Sequence, residues 1–198
     1  LDQFPEEIHY RLDLNREPFH KAFGDKKFDF VIFCHVLEHV VDPLRILGEI
    51  NNILKPDGVL LLTLPDPRNW KDSTRPTTPL SDVVRRHEQK AVEPSREAVQ
   101  ELIRHWDGQK IPVNTDRFEE LYQLHVKRSI HVNVWFPEDL LKVLEYANRK
   151  TGTKLELIDG GCFVKEYTFV LRNTPEDLTE RIHPILAQRI VSSYSRHD

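Results

Sequence analysis

The sequence predicts an α/β domain built on a mostly parallel sheet, and three observations within residues 28–66 carry that prediction. Two apolar runs, FDFVIFC at 28–34 and VLLLTL at 59–64, are each about one strand long and lack polar alternation. That is the pattern of parallel strands with helices over both faces. Between them Leu44, Leu47, Ile50 and Leu54 recur at steps of three and four, with Ile46 and Ile53 widening the stripe, as in an amphipathic helix. Strand, helix and strand in this order make one βαβ crossover.

The helix ends are also written in the sequence. Asp42 can accept hydrogen bonds from the free first-turn amides, Pro43 suits the first helical position, and Lys55, Pro56 and Gly58 punctuate the end. Both apolar runs are expected inside the sheet, neither as a solvated edge. Ligands of such sheets bind outside the carboxyl ends of the strands. The polar cluster His35, Glu38 and His39 after the first run, and the Pro65-Asp66 step after the second, therefore share one rim.

Residues 8–14 alternate apolar and polar and read as a strand ending near Asp13, with a short link to the next strand. Residues 67–128 are the most polar part of the chain. Pro67, Pro76 and Pro79 break their first section, and three short helices are expected after them. One carries Leu80, Val83, Val84 and His87, one follows Ser95 with Val99, Leu102, Ile103 and Trp106, and one follows Asp116 with Leu121, Tyr122 and Leu124. Such helices have too little apolar surface to stand alone, so 67–128 is expected to be an insertion packed over the rim, either a substrate lid or a dimerisation arm. Arg85, Arg86 and Lys90 read as a solvated basic face.

Residues 129–135 alternate as a strand, with His131, Asn133 and Trp135 on one face. Pro137, Glu138 and Asp139 open a further helix, and 154–158 and 166–171 are expected as two antiparallel strands joined around Gly160-Gly161. A helical tail follows Thr174, broken or kinked at Pro184. It offers a surface for the core or for a second subunit, so a homodimer is one expectation. The whole chain, 1–198, reads as a single domain with the 67–128 insertion and the 174–198 tail.

Composition limits the function classes. The chain is 39% hydrophobic and 30% charged, with a formal net charge of -4, which argues for a soluble globular protein and against a duplex nucleic-acid partner. No apolar run approaches membrane-spanning length and no signal-peptide pattern opens the chain, so no membrane partner and a cytoplasmic location are expected. Cys34 and Cys162 are expected to be reduced and mostly buried. The sequence opens Leu1-Asp2 and holds no methionine, so a natural start is expected to be missing.

The 28–66 stretch, with V-L-E-H at 36–39, D-P at 42–43 and L-K-P-D-G at 54–58, resembles the class I S-adenosylmethionine-dependent methyltransferases, in particular their small-molecule branch (methyltransferase type 11-like). The resemblance extends over residues 8–66. It departs at Asp57, where the family usually has glycine, and no glycine-rich Gly-x-Gly loop stands between a strand and a helix. The resemblance implies a Rossmann-like, doubly wound, mostly parallel sheet with a C-terminal antiparallel hairpin and a helical insertion after the fifth family strand. It implies S-adenosylmethionine as cofactor and a small molecule as methyl acceptor, through oxygen or nitrogen. Carried over, Asp13 would accept from the adenine amino group and the Leu14 amide would read a ring nitrogen, while Cys34 and His35 would line the methionine side with Glu38 nearby. A turn cap is the other reading of Asp13.

His131 and His39 are the candidate bases, because an unperturbed histidine titrates at about 6.5, close to working pH. Two alternatives stand beside this. A methyltransferase-like fold without its glycine loop could serve as a catalytically inactive binding or assembly module. Residues 35–39 also spell H-x-x-E-H, an inverted zinc-hydrolase motif, but that motif needs both histidines on one helix, and the best helix start lies after it at Asp42. No metal is therefore expected.

Overall fold

The computed structural model describes residues 10–106, 108–128, 130–175, 188 and 191–192. In chain order the elements are α1 (His20–Phe23), β1 (Phe28–Cys34), α2 (Pro43–Ile53), β2 (Leu54–Pro65), α3 (Leu80–Glu88), α4 (Arg96–Trp106), α5 (Asp116–Arg128), α6 (Pro137–Lys150), β3 (Leu155–Cys162) and β4 (Glu166–Asn173).

The βαβ unit forms as its pattern dictates. Asp42 caps α2 by accepting from the Arg45 amide at 3.0 Å, with Pro43 in the first turn. Leu44, Ile46, Leu47, Ile50 and Ile53 turn inward and are buried, joined by Leu54. β1 and β2 run parallel, Phe30 opposite Val59 through Cys34 opposite Thr63. The chain re-enters the sheet directly after the helix. Asp57 takes a left-handed φ of 60° there, and the pairing slips between Phe28 and Phe30. A Cβ on the adjoining Gly58 would lie 2.9 Å from the Lys55 carbonyl and 3.1 Å from that of Phe28, which is why glycine stands there.

The described sheet has four strands in the order β1-β2-β4-β3, with β2–β4 and β3–β4 antiparallel. One parallel pair and two antiparallel pairs make it a mixed α/β sheet. The hairpin turn falls at 163–165, not at Gly160-Gly161, which pair with Phe169 and Thr168 inside the ladder. One sheet face carries Phe33, Leu60, Leu62, Leu64, Tyr167, Phe169 and Leu171 into a core shared with α2 and α6.

Four local expectations need correction. β1 pairs only with β2 among the described residues, and its other face leaves Phe30 65% and Ile32 61% exposed. It is an edge, because nothing among the described residues pairs with its free side. Cys34 lies on that open face and is exposed instead of buried; neither cysteine is in a disulfide among the described residues. Residues 10–13 have no ladder partner and 14–16 form a turn, so no strand is present there; 8 and 9 lie outside the described residues. Residues 130–136 join no sheet, and 129 lies outside the described residues. Their alternation fails as a face signal because Ile130, Val132, Asn133, Val134 and Trp135 are all buried, packed between the rim and the helices of 67–128.

Helices α3, α4 and α5 arise where the caps and periodicity put them, with Ser95 Oγ accepting from the Ala98 amide and Thr115 Oγ1 from that of Phe118. Val83 of α3 joins the main core, while the apolar faces of α4 and α5 build a second small core in which Val99, Leu102, Ile103, Phe118 and Tyr122 meet Val41 of the rim and Ile130 and Val132. Arg86 departs from the expected solvated face. It is 7% exposed and donates to the Asn133 side chain. The tail helix and its Pro184 fall almost entirely outside the described residues. No helix among the described residues is long and apolar enough to cross a membrane.

Candidate active site

Residues 35–42 leave the end of β1 and set the geometry of the rim. His35 adopts a left-handed φ of 54°, its amide donating to the Thr63 carbonyl at 2.9 Å, so the chain turns sharply at the strand end. Leu37–His39 then form a single 3-10 turn. This turn buries Glu38, whose side chain is 2% exposed, and half-buries His39 at 27%. The two histidines of H-x-x-E-H do not share a helix face. His35 points to β4, where its Nε2 meets Glu166 at 2.8 Å.

A second segment closes on the first. Asn133 donates its amide to the Glu38 carbonyl at 2.9 Å, and its side-chain Nδ2 donates to the Val40 carbonyl at 2.7 Å and to Leu37 at 3.3 Å. The Asn133 Oδ1 accepts from Arg86 of α3 at 2.5 Å. One buried amide thus ties the 35–40 loop to the helices of 67–128. Two residues earlier, His131 comes to lie against His39, with ring centroids 4.7 Å apart in an edge-to-face arrangement.

His131 is oriented by a residue that no sequence pattern marks. Asp72, in a 3-10 turn after β2, accepts from or shares a proton with His131 Nδ1 at 2.5 Å. Asp72 is itself held by Arg75 Nη1 at 2.8 Å and Trp106 Nε1 at 3.1 Å, and Arg75 also donates to the His131 carbonyl at 2.9 Å. Burial pushes the Asp72 carboxyl up, but its hydrogen bonds to His131 and Arg75 outweigh this and hold it below the ordinary range. It is the fixed anion of the pair. Trp70 and Trp106 flank the His131 ring at 6.3 and 5.7 Å between centroids.

Glu38 has the opposite balance. Burial raises its pKa above the ordinary value; its own peptide N–H and the His131 and His35 rings only partly offset that. Neither carboxylate oxygen has a hydrogen-bond partner among the described residues. One donor atom from each of Glu38, His39 and His131 falls within 4.8 Å of the others.

The remaining sequence-derived candidates lie around this centre. Asp13 and His39 line one cleft of about 230 Å³ with Asn15, Arg16 and Val41. Asp13 is exposed, caps its turn by accepting from the Asn15 amide at 2.9 Å, and pairs with Arg16 at 3.3 Å. The Leu14 carbonyl accepts from Arg45 of α2, which anchors the turn to the βαβ unit. Cys34 ends β1 on the exposed face, next to His35. The structure thus brings Glu38, His39 and His131 together and sets Asp13 in one cleft with His39, while His35 turns toward Glu166. Asp72, Arg75, Trp106 and Asn133 were not singled out from sequence for the site. The Asp72–Arg75 contact is local, but Asp72 meets Trp106 and His131 across 34 and 59 residues, Arg75 meets the His131 carbonyl across 56 and Asn133 meets Leu37 across 96, beyond any local pattern.

A methyltransferase-domain family model matches residues 2–150. Over 44 residues the chain is 48% identical to the ubiquinone biosynthesis O-methyltransferase of Haemophilus ducreyi, covering 22% of this chain and 19% of that protein. Over 52 residues it is 38% identical to the highly reducing polyketide synthase pkhB of Emericella nidulans, covering 26% of this chain and 2% of the synthase. It is 30% identical over 81 residues to the highly reducing polyketide synthase AFT9-1 of Alternaria alternata, covering 40% and 3%. The chain thus spans under a fifth of the length of each of these relatives.

Proposed function

The chain belongs to the class I S-adenosylmethionine-dependent methyltransferases, and from that premise we propose that it transfers a methyl group from S-adenosylmethionine to a hydroxyl of a small-molecule acceptor. The observation that carries this reading is the Asp72–His131 pair at 2.5 Å, set beside His39 at the end of the βαβ unit. When bound, S-adenosylmethionine supplies a methyl group already activated on a sulfonium, so the protein's tasks are to align, to exclude water and to remove one proton.

The residues present fit that cofactor. Asp13 is half exposed, and each carboxylate oxygen keeps accepting capacity beyond Asn15 and Arg16. It can therefore take a hydrogen bond from an adenine amino group, with the Leu14 amide beside it. Cys34, His35 and Glu38 border the same rim and are assigned to the methionine side.

His131 is the base in this reading. With Nδ1 held by Asp72, its Nε2 carries the lone pair that takes the acceptor's proton, and the Asp72 anion stabilises the resulting imidazolium. His39 packs against it and steers the ring. Trp70, 43% exposed, and Trp106 offer aromatic surface on which an acceptor can lie. Residues 67–128 supply Asp72, Arg75 and both tryptophans, and we assign them as the lid that sets acceptor choice.

Calorimetric titration with S-adenosylmethionine, together with detection of S-adenosylhomocysteine across a panel of hydroxylated acceptors, tests the proposal. Saturable binding is expected, and Asp13→Ala should weaken it at least several-fold, as for loss of one hydrogen bond of about 1 kcal/mol. His131→Ala should lower turnover by about 10²- to 10⁴-fold. Undiminished turnover in that variant overturns the role given to His131.

A further inference from the structure

We propose that Glu38, His39 and His131 form a binding site for one divalent late first-row transition metal ion of the zinc and cobalt class, with Asp72 positioning His131 from behind. The binding claim stands without the methyl-transfer reading. Only its catalytic consequence rests on that reading.

The first argument is an unbalanced buried charge. Glu38 has a 2% exposed side chain, and neither of its oxygens accepts a hydrogen bond among the described residues. The imidazoles nearest its carboxylate are those of His35 and His39, at 3.7 and 3.8 Å, beyond hydrogen-bonding distance. Buried charges in folded proteins are paired or coordinate metals. Here no arginine or lysine pairs with Glu38 among the described residues, yet two imidazoles converge on it.

The second argument is the donor set. One atom each from Glu38, His39 and His131 lies within 4.8 Å of the others. Ligands bound about 2.1 Å from a tetrahedral ion stand about 3.4 Å apart, so the side chains need draw in by about an ångström. Small side-chain rotations supply that. Two imidazoles and one carboxylate suit zinc, cobalt or iron better than magnesium or calcium, which favour all-oxygen shells. Three protein ligands leave at least one position open.

The third argument lies behind the ligands. A metal-bound histidine ordinarily has its other ring nitrogen hydrogen-bonded to a carboxylate or carbonyl, which fixes tautomer and orientation. Asp72 does this for His131 at 2.5 Å and is locked by Arg75 and Trp106. The arrangement leaves Nε2 as the nitrogen available to an ion. This set differs from the local H-x-x-E-H pattern, because His35 turns away to Glu166 and the third ligand comes from 92 residues beyond His39. The consequence for catalysis is direct. An ion on Nε2 would occupy the lone pair otherwise used as base, and it would supply Lewis-acid polarisation of the acceptor hydroxyl, whose proton would then pass to solvent water.

The test is a titration of the full chain, freed of metal by chelator, with Co²⁺ alone, followed by visible absorption and checked by zinc displacement and metal analysis. One equivalent of Co²⁺ with ligand-field bands that Zn²⁺ abolishes is expected. Glu38→Gln and His131→Ala should lose stoichiometric binding, and Asp72→Asn should weaken it by about 10- to 100-fold. His35→Ala should bind as the parent does. Circular dichroism establishes that each variant is folded, and Glu38→Gln keeps size and shape where His131→Ala does not. No saturable binding by the parent chain, parent-like binding by both Glu38→Gln and His131→Ala, or loss in His35→Ala overturns the site. S-adenosylmethionine titration of the metal-free chain reads the methyl-transfer proposal separately, so either can fail alone.

Discussion

Asn133→Ala is the perturbation that tests how the rim is held in place. The side chain is 2% exposed and makes three contacts: Nδ2 to the Val40 carbonyl at 2.7 Å and to Leu37 at 3.3 Å, and Oδ1 from Arg86 at 2.5 Å. Leu37 retains the Val40 amide as a donor at 3.2 Å and Arg86 Nε keeps the Asp82 carbonyl at 3.3 Å, so truncation orphans chiefly the Val40 carbonyl and the Arg86 Nη2. Burial already pushes Arg86 down to about 10, still fully charged at neutral pH. An orphaned buried neutral group costs about 1–3 kcal/mol, and a lost hydrogen bond to a charged group about 1.5–3 kcal/mol, so together about 3–5 kcal/mol is expected. For a chain of this length that lowers Tm by about 6–20 °C. Urea unfolding followed by tryptophan fluorescence measures it. Asn133→Asp keeps the Arg86 partner but sets a carboxylate against two carbonyls, and should cost at least about 1 kcal/mol. The double variant Asn133→Leu with Arg86→Met replaces both partners by apolar groups, and should lose less than the sum of the two single losses. A loss under about 1 kcal/mol for Asn133→Ala, well below the two orphan costs, would refute the clamp.

Four further outcomes follow from local geometry. Asp57→Gly should stabilise by up to about 1 kcal/mol in chemical denaturation, because φ is 60° there and glycine adopts that conformation without strain; Gly58→Ala should destabilise by about 1–3 kcal/mol, since its Cβ meets the Lys55 carbonyl at 2.9 Å. Asp42→Ala removes the cap on Arg45 and the contact with His87 at 3.0 Å, and a loss of about 1–2 kcal/mol is expected. Asp29 is held below its ordinary 3.8 first by its hydrogen bond to Lys55 and then by that charge; a lowered carboxylate stabilises above its unfolded value and loses that contribution as pH falls through the folded one. Lys55→Ala should move the Asp29 carboxyl midpoint, read by NMR titration, back toward 3.8.

What the sequence made legible was local. The spacing of Leu44, Leu47 and Ile50, the Asp42-Pro43 start and the paired strands near 155–171 each depend on neighbours within a few residues, and each appears in the structure. The open side of β1 was not legible in FDFVIFC, because a covered strand and an edge strand carry the same apolar run until one knows what pairs beside them. Residues 130–136 misled for a related reason: period two implies a face only when one side meets solvent, and here both sides are buried.

The site divides along the same line. His35, Glu38 and His39 could be placed on the rim because they directly follow a strand, whereas Asp72 and Asn133 act across 59 and 96 residues through contacts that only the packed helices of 67–128 create. That division bears on how acceptor choice can change. The residues of 35–42 are fixed by the βαβ unit, and Glu38 and Val40 by Asn133. Asp72 and Trp106, by contrast, reach His131 from the polar segment, where loop and short-helix sequence tolerates exchange. Substitutions that alter selectivity without unfolding the chain should therefore concentrate around Trp70 and Trp106. Those that touch Asn133 or Asp42 should register first as lost stability.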